Sequence, residues 1–192
     1  YGNNSYAISF WLLINNIENE WVHLLSFANG VSCNNNFGPS CPQYPGFWLS
    51  PKTNRISVYL DSSGARELIT IENIPMRKWF NIICVIENQA VDLYIDGKLS
   101  TSYVISKPAL HLNNTGNIYI NNNSMYPPKS YIQMAFLRIY GNYLDPLNVE
   151  SLYSSFIKKI NKYTEGELEK LKYNSITPFT ELDEIVKTDT EY

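Results

Sequence analysis

The histidines and cysteines of this 192-residue chain are few, and their spacing does not form the common catalytic or metal-binding patterns. His23 and His111 are the two histidines, and neither lies at metal-ligand spacing from a cysteine. The sequence also shows no Ser–His–Asp arrangement and no glycine-rich loop of the kind that cradles phosphate groups. These residue types therefore give little support to hydrolytic, zinc-dependent or nucleotide chemistry.

Two of the three cysteines frame a polar, turn-forming stretch. Cys33 and Cys41 are separated by Asn34–Ser40, and a disulfide between them would stabilise the fold by roughly 2–3 kcal/mol through loop closure. The alternative is a pair of free thiols in a flexible loop of a cytosolic protein, and both interpretations stay open. Cys84 lies in an apolar strand pattern and is predicted to be a small buried hydrophobic residue.

Three Asn-x-Ser/Thr triplets are candidate glycosylation sites, at Asn3, Asn113 and Asn122. They lie at a terminus and in predicted loops, where an attached glycan is tolerated. Because such triplets arise by chance in an Asn-rich chain, they show only that secretion is compatible with the sequence. The chain opens at Tyr1 without a methionine, so we expect a segment of a longer protein and infer no compartment from the missing leader.

Charge and hydropathy exclude two classes of partner. The 15 Lys and Arg residues are balanced by 18 Asp and Glu residues, for a net charge of −3, so no basic surface is predicted to bind nucleic acid. No window of about 18 apolar residues is present, so a membrane span is not predicted. No metal or organic cofactor is predicted from composition either.

Short runs with apolar residues at every second position dominate the chain, which is typical of antiparallel β-structure. The Asp96-Gly97 pair is the strongest hairpin signal, because a type I′ turn needs positive φ at both central residues. Ten strands predict an all-β, two-sheet antiparallel jelly-roll sandwich. The predicted strands are Tyr6–Ile14, Trp21–Ala28, Gly46–Ser50, Asn54–Leu60, Arg66–Ile71, Trp79–Glu87, Ala90–Ile95, Lys98–Ile105, Asn117–Asn121 and Tyr131–Tyr140.

The pattern changes after Tyr140. Asp145 can cap a helix whose first residue is Pro146, and apolar residues follow at helical spacing. We therefore divide the chain into a jelly-roll domain at 1–157 and a helical or extended tail at 158–192. The tail has too few apolar residues to form its own core. It is either an arm that docks on a partner or a linker to another domain.

The order of these motifs resembles the laminin G-like branch of the concanavalin A-like lectin/glucanase superfamily, over about residues 1–157. The most specific stretch is Ile74–Leu99, in which Trp79 opens a central strand and the hairpin reads LYIDGKL. The closing stretch AFLRIYGNYLDPLNVESLY is similar to the family's last strand and short helix. The segment PGFWLSPKTNRISVY is similar to the versions carried by proteins of large DNA viruses of protists and algae.

The resemblance implies a jelly roll whose first and last strands pair, with Tyr6–Ile14 beside Tyr131–Tyr140. Glucanases of the superfamily hydrolyse glycosides with two carboxylates on one strand face, about 5–5.5 Å apart for retention. No strand in the body of this chain offers such a pair, and the chain is therefore predicted not to be an enzyme. The closest spacings are Glu18 with Glu20 in a turn, Asp92 with Asp96 across a hairpin boundary, and Glu181 with Asp183 in the tail.

The resemblance suggests two classes of ligand, calcium and glycans. Laminin G relatives often hold calcium at the rim of the sandwich, and Asp61 and Asp96 are the weak candidates here, although Asp61-Ser62-Ser63-Gly64 is equally typical of a turn. Glycan binding needs exposed aromatic rings flanked by polar side chains, but such rings are equally suited to covering a half-wet sheet face. The tentative glycan-binding residues are Trp48, Tyr59, Tyr94, Tyr44 and Tyr126.

Three hypotheses follow from these observations. The first is a non-catalytic interaction module of a larger virion or cell-surface assembly, which contacts other protein subunits through its loops and tail. The second is a lectin that binds glycans on the aromatic concave face. The third is a degenerate glucanase.

Overall fold

The computed structural model describes residues 5–28, 42–62, 64–109, 117–121 and 131–160. These residues form ten β-strands and one α-helix. No helix among them is long and apolar enough to span a membrane. The elements are β1 (Ser5–Ile14), β2 (Val22–Ala28), β3 (Gly46–Leu49), β4 (Ile56–Ser62), β5 (Ala65–Ile71), β6 (Phe80–Glu87), β7 (Ala90–Ile95), β8 (Lys98–Val104), β9 (Asn117–Ile120), β10 (Ile132–Tyr140) and α1 (Pro146–Ile160).

The strands form two antiparallel sheets of five strands each, which confirms the predicted all-β sandwich. The first sheet has the order β10-β1-β6-β7-β8, and the second sheet has the order β5-β4-β3-β2-β9. β1 pairs with β10 in the register that places Ala7 opposite Tyr140 and Ile14 opposite Ile132. The predicted pairing of the first and last strands is therefore confirmed.

The core lies between the two sheets because every second residue of each strand points inward. In β6, Phe80, Ile82 and Ile86 are fully buried in this core, and Cys84 lies among them as a buried free thiol. Burying each such side chain stabilises the fold by roughly 1.5–3 kcal/mol. The prediction that Cys84 is a small buried hydrophobic residue is confirmed.

The first part of α1, up to Tyr153, packs on the outer face of β1, β6 and β7 in the first sheet. Its N-terminus is capped as predicted, because Asp145 Oδ1 accepts a hydrogen bond of 2.7 Å from the backbone N–H of Asn148. Val149 is fully buried and packs with Ala7, Ile83 and Tyr94 of the sheet. This explains why the central strand β6 is apolar on both of its faces.

The β7–β8 hairpin turns at Asp96 and Gly97, whose φ values are 50° and 74°. Both values lie in the left-handed region that a type I′ turn requires, so the predicted hairpin is confirmed. The turn also lies against α1, since a Cβ atom at Gly97 would stand 3.0 Å from the ring of Tyr153. Glycine is thus required here both by its φ and by its neighbour.

The chain divides into two structural units, Tyr1–Tyr153 and Ser154–Tyr192. The first unit holds all ten strands and the first half of α1. Of the second unit, the structure describes the helical residues up to Ile160. The predicted tail at 158–192 lies almost wholly outside the described residues, and its docking role stays a prediction.

Candidate binding face

The outer face of the second sheet carries a group of aromatic side chains. Alternation along β3 directs Trp48 outward, where it lies opposite His23 of β2 and Ser57 of β4. Trp48 packs against the partly buried rings of Trp21, Tyr59 and Tyr119. We call these four residues, Trp21, Trp48, Tyr59 and Tyr119, the aromatic platform.

The rings of the platform differ in their exposure, and this decides which of them a ligand can touch. Trp48 is 0% exposed and forms the centre. Trp21, Tyr59 and Tyr119 keep part of their surface in solvent. Trp21 and Tyr59 meet edge to face with ring centroids 6.2 Å apart, a favourable geometry for two aromatic rings.

Gln43 fixes the orientation of Trp48. The indole Nε1–H donates a 2.6 Å hydrogen bond to Gln43 Oε1, and both side chains are buried. Gly46 makes room for the Gln43 carboxamide, because a Cβ atom at Gly46 would overlap Gln43 Oε1. The backbone N–H of Gln43 donates to Asp61 Oδ2 at 2.7 Å, and the N–H of Asp61 donates to the carbonyl of Gln43 at 2.9 Å. The segment before β3 is thereby held against β4.

His23 lies beside Trp48 beneath the surface of the platform. It is 1% exposed, its ring meets Trp48 at a centroid distance of 4.7 Å, and its Nε2 lies 3.0 Å from Ser26 Oγ. Burial lowers the pKa of His23 to about 3, because the imidazolium would lose its hydration. The side chain is therefore neutral at physiological pH.

Polar and charged groups lie beside the aromatic rings, and Arg55 Nε donates to Ser50 Oγ at 3.4 Å. Ser50 Oγ and Ser57 Oγ are hydrogen bonded at 2.8 Å. Asp61 forms a bidentate pair with Arg66, in which Arg66 Nε and one terminal NH2 group donate at 2.9 and 3.1 Å. Such forked pairing neutralises both side chains.

The structure brings three of the predicted glycan-binding residues to this part of the molecule. Trp48 and Tyr59 belong to the platform, and the partly buried Tyr44 follows Gln43 with its backbone N–H bonded to Phe27 O at 2.8 Å. Tyr94 lies instead on the outer face of the first sheet, where α1 leaves it 3% exposed. Alternation within each strand was visible in the sequence, but the assignment of β7 and β3 to different sheets was not. Tyr126 lies outside the described residues.

The two candidate calcium ligands lie in different sheets, and both carboxylates are already hydrogen bonded. Asp61 binds Arg66 and Gln43, whereas Asp96 Oδ1 accepts from the backbone N–H of Asn81 at 2.8 Å. Within the described ranges, no group of three or more His, Cys, Asp or Glu side chains is placed to hold a metal ion. Cys33, Cys41, Asn3, Asn113 and Asn122 lie outside the described residues, so their disulfide and glycosylation stay predictions.

Sequence reasoning missed Trp21, His23, Gln43 and Tyr119 as members of this face. A glycine in a strand often marks the close approach of another group. Gly46 was therefore a sequence signal that another side chain, here that of Gln43, packs against β3. Tyr119 alternates with Ile118 and Ile120, which was the signal for an outward aromatic ring. No sequence signal points to His23.

Solved structures with this fold include three binding domains of botulinum neurotoxins. The serotype G binding domain gives a TM-score of 0.58 at 20% identity, over 78% of this chain and 36% of that chain. The serotype D ligand binding domain in complex with N-acetylneuraminic acid gives 0.57 at 13% identity, over 79% of this chain and 36% of that chain. The binding domain of neurotoxin DC in complex with rat synaptotagmin II gives 0.57 at 18% identity, over 79% and 35%.

These identities are low, so the likeness shows a shared fold, and this chain spans little more than a third of each of those chains. No curated protein matches this chain. The laminin G profile described as the concanavalin A-like lectin/glucanases superfamily matches residues 1–150, which hold all ten strands. The chain belongs to the concanavalin A-like lectin/glucanases superfamily.

Proposed function

We propose that this domain is a non-catalytic binding module and that the aromatic platform on the second sheet is its binding face. The observation that carries the proposal is the contrast between the two outer faces. The first part of α1, up to Tyr153, packs on the apolar outer face of β1, β6 and β7 in the first sheet. The second sheet instead presents partly exposed aromatic rings around Trp48, whose indole ring is held in place by a hydrogen bond to Gln43.

The chemistry of the platform favours an uncharged ligand, and a glycan fits best. Aromatic rings stack on the apolar faces of sugar rings, and Trp21, Tyr59 and Tyr119 keep part of their rings in solvent. Asp61 and Arg66 neutralise one another beside the platform, so no single charge is offered to an ionic ligand by this pair. Neighbours of this fold occur in complexes with a sugar and with a protein, so the fold alone is compatible with both.

Glycan binding by wild-type, Tyr59→Ala, Tyr59→Phe and Tyr143→Ala proteins tests this proposal. Two aromatic rings in contact gain about 0.5–1.5 kcal/mol. We expect a similar gain for a ring on a sugar, so Tyr59→Ala should weaken binding roughly 2- to 10-fold. Tyr59→Phe keeps the ring and should bind like the wild type. Tyr143 is 38% exposed but follows β10 of the first sheet, so Tyr143→Ala is the matched control.

A broad glycan array that stays blank for the wild type would contradict the glycan assignment. Binding that survives Tyr59→Ala but is lost with Tyr143→Ala would place the site elsewhere. Circular dichroism of each variant separates a lost contact from a lost fold.

The arrangement of the acidic side chains supports a non-catalytic role. Glu18 and Glu20 lie in the β1–β2 loop, whereas Asp92 lies on β7 and Asp96 in its hairpin turn. These positions differ from the two carboxylates on one strand face that the superfamily's glucanases use. Sustained turnover of a β-glucan by the purified domain would overturn this part of the proposal and revive the degenerate glucanase.

Protein assembly, in a virion or on a cell surface, is the second candidate function. Large apolar side chains are exposed on the two edge strands of the first sheet: Leu99 (56%) and Val104 (74%) of β8, and Phe136 (40%) and Ile139 (45%) of β10. Exposed apolar side chains on an edge strand favour contact with another chain. The resemblance to versions of this domain in large DNA viruses of protists and algae also favours such a role.

Truncation after Phe156 tests the assembly hypothesis and the docking role of the tail. Assembly that needs the tail should be lost on truncation, as measured by the sedimentation of the native particle or complex. Unchanged assembly of the truncated chain would contradict a role of the tail. Ile139→Lys in the intact chain is a separate test of the β10 edge. If this edge takes part in assembly, the substitution should reduce assembly in the same sedimentation measurement.

A further inference from the structure

We propose that the outer face of the first sheet, beside α1, docks a basic amphipathic helix of another protein on a strip of two acidic and two apolar side chains. The members of this acidic strip are Glu87, Asp92, Leu99 and Val104. The strip itself follows from the register of the strands. The chemistry of its partner deepens the second candidate function, contact with another protein, and rests on that function.

The two apolar members of the strip lie on the outer face of the sheet. Tyr94 marks this face, because it packs with Val149 of α1. Leu99 is the cross-strand partner of Tyr94, so its side chain points to the same side. Ala90 lies four residues before Tyr94 in β7 and therefore also faces outward. Val104 is the cross-strand partner of Ala90 and completes the row.

The two acidic members lie on the same face. Asp92 is two residues from Tyr94 in β7, and Glu87 of β6 is the cross-strand partner of Ala90. Both side chains keep part of their surface in solvent. Within the part of the chain that the structure describes, neither carboxylate has an ion-pair partner. Their negative charge is therefore available to a partner.

The apolar members are exposed because α1 packs on only part of the sheet. The first part of α1, up to Tyr153, lies on β1, β6 and β7, whereas β8 is the edge strand. Leu99 is 56% exposed and Val104 is 74% exposed. Ser102, the small cross-strand partner of Asp92, lies between them and is also exposed. An apolar sheet face beside a packed helix suits a second helix, because helices are the usual cover of such faces.

The charges around the strip decide the charge of the partner. Lys98 is opposite Ile95, which packs against the core, so Lys98 points to the other face of the sheet. Arg138 lies on β10, three strands or about 14 Å from β7. Residues 80–104 and 141–153 contain this one lysine, no arginine and five acids, which are Glu87, Asp92, Asp96, Asp145 and Glu150.

Tyr143 shows that the carboxylates act on one place. Burial is the main reason that the pKa of its hydroxyl lies above the ordinary value of 10.0, and the negative charges of Glu87, Asp92 and Asp145 raise the pKa further. These acids belong to β6, to β7 and to the cap of α1. Three separate elements thus direct negative charge toward the space beside α1.

A basic amphipathic helix satisfies both parts of the strip. Its apolar side chains would cover Leu99 and Val104, and Lys or Arg side chains along one side would reach Glu87 and Asp92. A purely apolar partner would remove water from the two carboxylates without replacing it. A second copy of the same strip, like any acidic partner, would bring like charges together. The charge therefore favours a basic partner over a second copy of this chain.

Two synthetic peptides test the proposal by isothermal titration calorimetry with the intact chain. Both are amphipathic helices of about 18 residues, long enough to be helical, with leucine on one face and either lysine or glutamate on the other. The Leu/Lys peptide should bind, with an affinity that falls as salt is added, and the Leu/Glu peptide should not. Equal binding of the two peptides, or no binding of the Leu/Lys peptide, would overturn the proposal.

Variants locate the binding on the strip. Glu87→Gln with Asp92→Asn should weaken binding of the Leu/Lys peptide roughly 2- to 30-fold, because two partly exposed charge pairs are lost. Glu72→Gln is the matched control, because Glu72 is an exposed acid that follows β5 of the second sheet. Glu87→Lys with Asp92→Lys should reverse the preference toward the Leu/Glu peptide. Unchanged binding in both double variants would overturn the proposal.

The apolar half of the strip has its own control. Leu99→Ser with Val104→Ser should weaken binding at least tenfold, because both side chains lose apolar contact area. Ile118→Ser is the control, since Ile118 is 45% exposed on β9 of the second sheet. Equal effects of the two changes would contradict docking on β8. Circular dichroism verifies the fold of each variant.

Failure of the strip and failure of the assembly function give different results. If the Leu/Lys peptide binds the strip but Glu87→Lys with Asp92→Lys leaves sedimentation of the native complex unchanged, the docking surface stands and its role in assembly fails. If truncation after Phe156 abolishes assembly but neither peptide binds, assembly stands and the acidic strip fails as a docking surface.

Discussion

Gln43 and Gly46 show how one small residue allows a buried polar contact. The Gln43 side chain lies over Gly46, and its Oε1 accepts the indole proton of Trp48. A buried indole N–H without an acceptor would cost about 1–3 kcal/mol. Glycine is thus required at position 46 for space rather than for φ, in contrast to Gly97.

Substitution of Gly46 by alanine should destabilise the domain by about 1–3 kcal/mol, because the new methyl group overlaps the Gln43 carboxamide. Urea denaturation measures the effect. Gly141→Ala is the matched control, because a methyl group at that position would have nothing within 4 Å. In a double-mutant cycle, Gln43→Ala should reduce the cost of Gly46→Ala, and strict additivity would contradict the contact.

At the scale of elements, α1 and β2 show two ways in which a neighbouring element changes which side chains of a strand are buried or share a face. Helix α1 buries an outer face that strand alternation alone would leave in solvent, and Tyr94 is buried for this reason. The bulge in β2 shifts alternation by one residue, so that His23 and Ser26 share a face. Both effects depend on a partner element that is not adjacent in the chain.

The contact of α1 with the first sheet predicts unequal effects of two substitutions on one helix. Val149 is 0% exposed, so Val149→Ala should destabilise the fold by about 1.5–3 kcal/mol through lost burial and an added cavity. Leu147 is 77% exposed, so Leu147→Ala should change the unfolding free energy little. Equal effects in urea denaturation would show that α1 does not pack through Val149.

At the scale of the whole molecule, Glu67 joins the two sheets at one edge of the sandwich. Glu67 belongs to β5 of the second sheet, and its carboxylate accepts from the Ser106 backbone N–H at 2.9 Å and from the Tyr103 hydroxyl at 3.3 Å. Tyr103 belongs to β8 of the first sheet. The Ser106 hydrogen bonds are the main reason that the pKa of Glu67 lies below its ordinary value of 4.5.

This link predicts a loss of stability in acid. Because the folded state lowers the pKa of Glu67, its contribution is complete above pH 4.5 and is lost as the pH falls through the lowered value. Glu67→Gln should therefore lower the melting temperature at neutral pH, and the difference from the wild type should shrink in acid. A difference that is constant with pH would indicate that the charge of Glu67 is not involved.

The amino-acid sequence by itself determined the strands, the hairpin and the helix cap, because these depend on neighbouring residues. Period-two runs, Asp96-Gly97 and Asp145-Pro146 each have a local physical cause, and the structure shows each of them. The motifs of 1–157 also pointed to the superfamily whose profile matches residues 1–150.

Only the tertiary structure decided which of the aromatic side chains come together. Trp48, Tyr59 and Tyr94 looked equivalent because each is an aromatic ring on an alternating strand. Sheet order separates Tyr94 from the other two, and α1 then buries it. The platform gains Trp21 and Tyr119 from elements distant in the chain. Strand alternation fixes two opposite sides for each strand, but the pairing of distant strands and the covering of one sheet by a helix decide which side meets water.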